Sequence, residues 1–260
     1  MADVIDYKIF GDDLQLVEVE LDPGEGVRAE VGTMTYMENG VRMDTSTGGK
    51  GLVDGLFKGF KRAITGESFF ISTFAYNGPA GSKGHVAFAA PYPGTIIPLD
   101  LGQLGGQFLC QKDSFLCAAA GTEIEVAFTK RLKAGFFGGE GFILQRLVGD
   151  GMVFVHAGGT VVEKELAAGE TLQVDTGCLV AFAPTVDYDI QFIGGFKNAL
   201  FGGEGLFLAK LTGPGHVYLQ SLPLSRLAGR IMAASRAQVG ERRGAAGLGG
   251  ELLGDILSGD

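Results

Sequence analysis

A glycine-glutamate element preceded by a basic, phenylalanine-rich stretch and followed by an apolar run occurs three times in this chain. The copies are Phe60-Lys61-Arg62-Ala63-Ile64-Thr65-Gly66-Glu67-Ser68-Phe69-Phe70, Leu132-Lys133-Ala134-Gly135-Phe136-Phe137-Gly138-Gly139-Glu140-Gly141-Phe142-Ile143 and Phe196-Lys197-Asn198-Ala199-Leu200-Phe201-Gly202-Gly203-Glu204-Gly205-Leu206-Phe207. Internal periodicity constrains architecture before any single residue is read for chemistry, because each copy must be one supersecondary unit packed on its neighbours. Two further blocks keep the same order. Leu16-Val17-Glu18-Val19-Glu20-Leu21 aligns with Val161-Val162-Glu163-Lys164-Glu165-Leu166, with Ile96–Gly102 as a weaker middle copy, and Gly32 falls on Gly177. Gly84-His85-Val86, Gly151-Met152-Val153 and Gly215-His216-Val217 form the third set. Glu140 to Glu204 spans 64 residues and Glu67 to Glu140 spans 73, so the unit is close to 65 residues with insertions in the first copy.

The spacing predicts an all-β chain of three tandem small β-sandwiches at 1–94, 95–158 and 159–223, followed by a helical and glycine-rich tail at 224–260. Glycine supplies 44 of 260 residues without a collagen period, and with 46% hydrophobic residues that excess reads as turns between many short strands. Val27–Val31, Thr122–Phe128, Glu170–Asp175 and Val186–Phe192 alternate polar and apolar residues, as strands with one wet face do. Leu179–Phe182 and His85–Ala89 are apolar on both faces and belong inside a sandwich or between copies. Turns are expected at Asp22-Pro23-Gly24 and Pro91-Tyr92-Pro93-Gly94, and a hairpin loop at Gly78–Gly84. In the tail, Leu224, Leu227, Ala228, Ile231 and Met232 recur at helical spacing with Arg226, Arg230 and Arg236 off that stripe. A linker over Val239–Gly250 and a second apolar-faced segment with Leu248, Leu252, Leu253, Ile256 and Leu257 complete it.

Function classes narrow from the same residues. A net charge of −9 disfavours a general nucleic-acid binder, since phosphate contacts need basic surface. Cys110, Cys117 and Cys178 cannot all pair, contain no Cys-x-x-Cys, and read as small buried hydrophobes; the three histidines stand far apart in sequence, so no metal or other cofactor is expected. There is no Gly-x-Ser-x-Gly elbow or His-Glu-x-x-His pair, and Gly78–Gly84 lacks the ending of a phosphate loop. Enzymatic activity has no positive support. No apolar run reaches the ~18 residues of a membrane span and the start has no secretory signature, so a cytoplasmic chain is the expectation, with peripheral membrane association as its variant. Candidate binding residues are the repeat-equivalent Glu67, Glu140 and Glu204, which a pseudo-threefold arrangement would bring to one rim. Their basic neighbours Lys61, Arg62, Lys133 and Lys197, interleaved with phenylalanines, suit anionic headgroups.

The run Gly59–Ser68, the Ala90-Pro91-Tyr92-Pro93-Gly94 turn and the Phe137-Gly138-Gly139-Glu140-Gly141 and Phe201-Gly202-Gly203-Glu204-Gly205 repeats resemble bacterial proteins of unknown function related to the altered-inheritance-of-mitochondria proteins, over residues 5–223. The resemblance implies a triplicated short double-stranded β-helix similar to the tryptophan RNA-binding attenuation protein, assembled as a nine-unit ring from a homotrimer. It also implies a scaffold role, since the mitochondrial relatives are linked to inner-membrane organisation, and it carries no catalytic residues. A non-enzymatic oligomer acting on a membrane or protein partner is therefore expected, with a small-molecule binder or enzyme holding ligands in the seams between repeats as the alternative.

Overall fold

A computed structural model describes residues 1–30, 32–44, 71–130, 142–193 and 206–235. Its compact units are Met1–Pro223 and Leu224–Asp260. After β1 (Asp6–Phe10), the first unit holds three successive sets of six strands. The first is β2 (Leu16–Leu21), β3 (Gly26–Glu30), β4 (Met34–Met37), β5 (Val41–Asp44), β6 (Ile71–Tyr76) and β7 (Gly84–Ala89). The second is β8 (Gly94–Asp100), β9 (Gln107–Gln111), β10 (Phe115–Ala119), β11 (Glu123–Lys130), β12 (Phe142–Val148) and β13 (Met152–Gly158). The third is β14 (Val161–Leu166), β15 (Thr171–Asp175), β16 (Leu179–Phe182), β17 (Asp187–Ile193), β18 (Leu206–Thr212) and β19 (Gly215–Gln220).

Each set pairs in the same antiparallel way. The sixth strand lies between the first and third, as in β2-β7-β4, and the fifth lies between the fourth and second, as in β5-β6-β3. The second strand of one set then pairs with the third of the next, joining β3 to β10 and β9 to β16. These joints create two six-stranded sheets, β5-β6-β3-β10-β13-β8 and β11-β12-β9-β16-β19-β14, flanked by a four-stranded β1-β2-β7-β4 sheet and a three-stranded β15-β18-β17 sheet.

Three apolar layers fill the spaces between the four sheets. Val19, Phe74, Phe88, Cys117 and Phe154 belong to the first; Phe108, Phe115, Leu147, Val153 and Val180 to the second; Phe142, Leu144, Phe182, Ile190 and Leu211 to the third. Each fully buried aromatic or aliphatic side chain stabilises by ~1.5–3 kcal/mol relative to solvent exposure. β16 is buried at every residue, as its two-sided apolar sequence predicts, and β7 is buried from Val86 to Phe88; β10 is likewise buried throughout, whereas β15 alternates.

The segment from Gly78 to Gly84 corrects one expectation. It is not a hairpin, because β6 and β7 lie in different sheets and the fifth strand takes its partners from the second and fourth. The loop wraps the Tyr76 ring instead, with the Tyr76 hydroxyl 2.7 Å from Ser82 Oγ. A Cβ on Gly84 would lie 2.3 Å from that ring, so only glycine fits beneath it.

The second unit is helical over 224–235, where Leu224, Ile231 and Met232 are exposed. Arg226 and Arg230 lie on the opposite side of the helical turn from these residues. The second apolar segment of the tail lies outside the described residues. No helix among the described residues is long and apolar enough to cross a membrane.

Candidate interaction edges

The repeated joint leaves one third strand and one second strand without a joint partner among the described residues. They are β4, at the edge of the first sheet, and β15, at the edge of the last. A β-bulge recurs at the same place in all three third strands, between Met34 and Tyr36, Phe115 and Cys117, and Leu179 and Ala181. It fixes their correspondence residue by residue, since a bulge pins register. Met34, Tyr36 and Met37 are 37%, 41% and 41% exposed, whereas their counterparts Phe115, Cys117 and Ala118 are 2%, 0% and 0% exposed. Leu179, Ala181 and Phe182 are likewise fully buried. Two differences account for it: β10 and β16 have a neighbouring second strand and lie in sheets with an apolar layer on each face, whereas β4 has no such strand and lies in an end sheet with one face uncovered.

β15 shows the complementary deficit. Thr171 and Gln173 are exposed, while the matching positions in β9 are partly and fully covered. In β3, Arg28 reaches across the first joint and donates from Nη1 to the Thr122 carbonyl at 2.9 Å, so the joint uses side-chain as well as ladder hydrogen bonds.

Polar groups secure β4 to its own sheet. His85 donates from Nδ1 to Glu38 Oε2 at 2.7 Å, and its backbone N-H donates to the same oxygen at 3.1 Å. The carboxylate of Glu38 raises the His85 pKa above its ordinary value, and the imidazole lowers that of Glu38. Tyr36 donates its hydroxyl to Glu18, which pushes the phenol up to about 12. Lys83 bridges Glu20 and Asp22, each at 3.0 Å. The third set keeps part of this pattern, with His216 3.6 Å from Glu163. All of these groups are exposed or half-exposed, so they orient the edge more than they stabilise it.

Inside the stack, one position in the sixth strand of the second and third sets lies at the seam with the preceding set. Gln220 is buried; its Oε1 accepts from Gly158 N-H at 2.7 Å and its Nε2 donates to the Gly177 carbonyl at 2.9 Å. The counterpart in the second set is His156, which is 1% exposed and has no hydrogen-bond partner among the described residues for either ring nitrogen. The reason is local. The residue matching Gly158 is Pro91, which has no N-H, and the carbonyl matching that of Gly177 is that of Asp113, which accepts from the Tyr92 hydroxyl at 3.4 Å. The Tyr92 ring packs edge-on against the imidazole with centroids 4.6 Å apart, and burial lowers its pKa to about 4.

The residues singled out from the sequence, Glu67, Glu140, Glu204, Lys61, Arg62, Lys133 and Lys197, lie outside the described residues. Cys110 and Cys117 are buried and unbridged, with thiol pKa values raised by burial, and Cys178 is half-buried. The open edges gave no motif: β4 reads Met-Thr-Tyr-Met, with no periodic pattern, and its place in the fold differs from that of β10 and β16 in having no second strand beside it. A pairing scheme drawn from the three-block alignment is the one signal that exposes them.

Known proteins are similar to this chain in sequence and in fold. An uncharacterized protein of Streptococcus pyogenes serotype M6 is 30% identical over 218 residues, covering 83% of this chain and 85% of that protein. A crystal structure of a structural-genomics target from Streptococcus pyogenes superposes with a TM-score of 0.70 at 28% identity, covering 88% of this chain and 99% of that one. The family model described as mitochondrial biogenesis AIM24 matches residues 7–222, which takes in all three strand sets and all but the first residue of β1, but not the tail. The chain therefore belongs to the AIM24 mitochondrial biogenesis family.

Proposed function

We propose that this protein is a non-enzymatic scaffold that works as a homo-oligomer, a homotrimer closed into a ring, and offers repeated surfaces to a membrane or protein partner in the cytoplasm. The observation that carries the reading is the exposure of Met34, Tyr36 and Met37 at a position that is buried in both internal copies. A set whose second and third strands are each covered by a neighbour inside the chain, but left bare at its two ends, is built to continue into another chain. The ring and trimer agree with the assembly that the family resemblance implies. An exposed apolar helix face at 224–235, opposite Arg226 and Arg230, suits an anionic membrane surface and supports the peripheral part of the reading.

Light scattering on the full chain tests the reading. The expected mass is about three times the 27.2 kDa of one chain. A single-chain mass at micromolar concentration overturns it.

A further inference from the structure

We infer that copies of this chain join head to tail through one strand pair, β15 of one copy lying antiparallel along β4 of the next, with Val174 opposite Tyr36 and Gln173 opposite Met37. This rests on the oligomeric reading above and names its interface.

The register comes from the two joints already inside the chain. In the first, Cys117 faces Ala29 and Ala118 faces Arg28; in the second, Ala181 faces Cys110 and Phe182 faces Leu109. The bulge places Tyr36 with Cys117 and Ala181, and Met37 with Ala118 and Phe182. Glu30 precedes Met34 by four residues, as Gln111 precedes Phe115 and Asp175 precedes Leu179. Val174 therefore matches Ala29 and Cys110, and Gln173 matches Arg28 and Leu109. Carrying the same joint to the bare ends gives the stated pairs.

Three further observations fit a second copy as the occupant. β4 and β15 sit at opposite ends of the four-sheet stack, so one copy offers one of each. Neither strand carries a proline or lysine, whereas the edge strand β8 contains Pro98 and the edge strand β14 contains Glu163, Lys164 and Glu165, the usual guards against edge pairing. Joining the three-stranded β17-β18-β15 sheet to β4-β7-β2-β1 makes a seven-stranded sheet, the six-strand order found twice within the chain with β1 added at its edge. Cys117 lies in the first apolar layer and Ala181 in the second, so the same step places Tyr36 in the third layer of the neighbouring copy, beside Val174. The joint uses two different surfaces and is thus heterologous, which generates a closed ring or an open chain of copies and never a symmetric pair.

Cysteine pairing reads the register. Directly opposed side chains have Cβ atoms roughly 4.5–5.5 Å apart, close to disulfide reach, whereas diagonal neighbours lie at about 7–8 Å. Under mild oxidation the double variant M37C/Q173C is expected to give covalently linked chains on a non-reducing gel. M37C/T171C, either single variant and the wild type with its native cysteines are expected to give at least tenfold less. An oligomeric mass with no preference for Gln173 over Thr171 overturns the register and leaves the oligomeric reading standing. A single-chain mass overturns both. Independently, Y36K alters an exposed residue and is expected to keep the wild-type circular dichroism while its mass falls to that of one chain. A folded Y36K variant that stays fully oligomeric overturns the edge assignment.

Discussion

His156 makes acid stability a sharp test of the seam between the first and second strand sets. The imidazole is 1% exposed and has no hydrogen-bond partner among the described residues, and burial lowers its pKa from 6.5 to about 4. The folded pKa is depressed for a base, so between those values the unfolded chain binds the extra proton and stability falls as pH falls. Integrating that difference gives a loss of roughly 2 kcal/mol at pH 5 and roughly 3 kcal/mol near pH 4, relative to pH 8. His85 works in the opposite sense: its raised pKa contributes stability below its unfolded value that is lost as pH rises through the folded one. Wild type and H156L share His85 and every carboxylate, so the difference between them isolates His156. Urea unfolding followed by circular dichroism at intervals from pH 8 to pH 4 should show the wild type losing stability relative to H156L by about 2 kcal/mol on reaching pH 5. Parallel curves over the whole range would refute the view that this imidazole is held neutral without partners.

Gln220 is the hydrogen-bonded version of the same position. Q220M keeps its length but strands the buried Gly158 N-H and Gly177 carbonyl, which should cost about 2–4 kcal/mol in chemical denaturation; a loss under 0.5 kcal/mol would mean the two hydrogen bonds do not secure the seam. F154A removes a fully buried ring from the first apolar layer and should cost about 3–5 kcal/mol. Its partner Tyr7, edge-on at 4.8 Å, belongs to β1, so a double-mutant cycle with Y7A should return about 0.5–1.5 kcal/mol of coupling. Zero coupling would show that β1 does not dock on the second set.

Much of the fold was legible because a repeat constrains its own strands. Val17 and Val162, aligned from the sequence, face Phe88 and Leu219, which are themselves equivalent. The three Gly-led blocks open the three sixth strands, and the two-sided apolar run Leu179–Phe182 is the fully buried β16. What composition and periodicity left hidden was the joint between sets. Strand identity is local, whereas the exchange of β3 with β10 and β9 with β16 is decided by packing across about 70–90 residues of chain. The sequence expectation of a hairpin at Gly78–Gly84 failed for that reason: short loop length suggested adjacent pairing, but the strands on either side belong to different sheets. β4 escaped notice because its four residues show no alternation, and its exposed methionines and tyrosine look like core until the bare edge is seen. The candidate glutamates and basic residues came from the most conspicuous motif, while the site that the strand pairing supports lies in segments with no motif.

Amide hydrogen exchange tests the central claim most directly, because an unpaired edge leaves alternate N-H groups open to water. If copies join through β4 and β15, peptides spanning Met34–Met37 and Thr171–Asp175 in the wild-type oligomer should be as protected as those spanning Phe115–Ala119 and Gln107–Gln111, and should lose about half of that protection in the Y36K variant. Fast exchange of alternate amides in β4 and β15 of the wild type, at concentrations where the mass is oligomeric, would contradict the account.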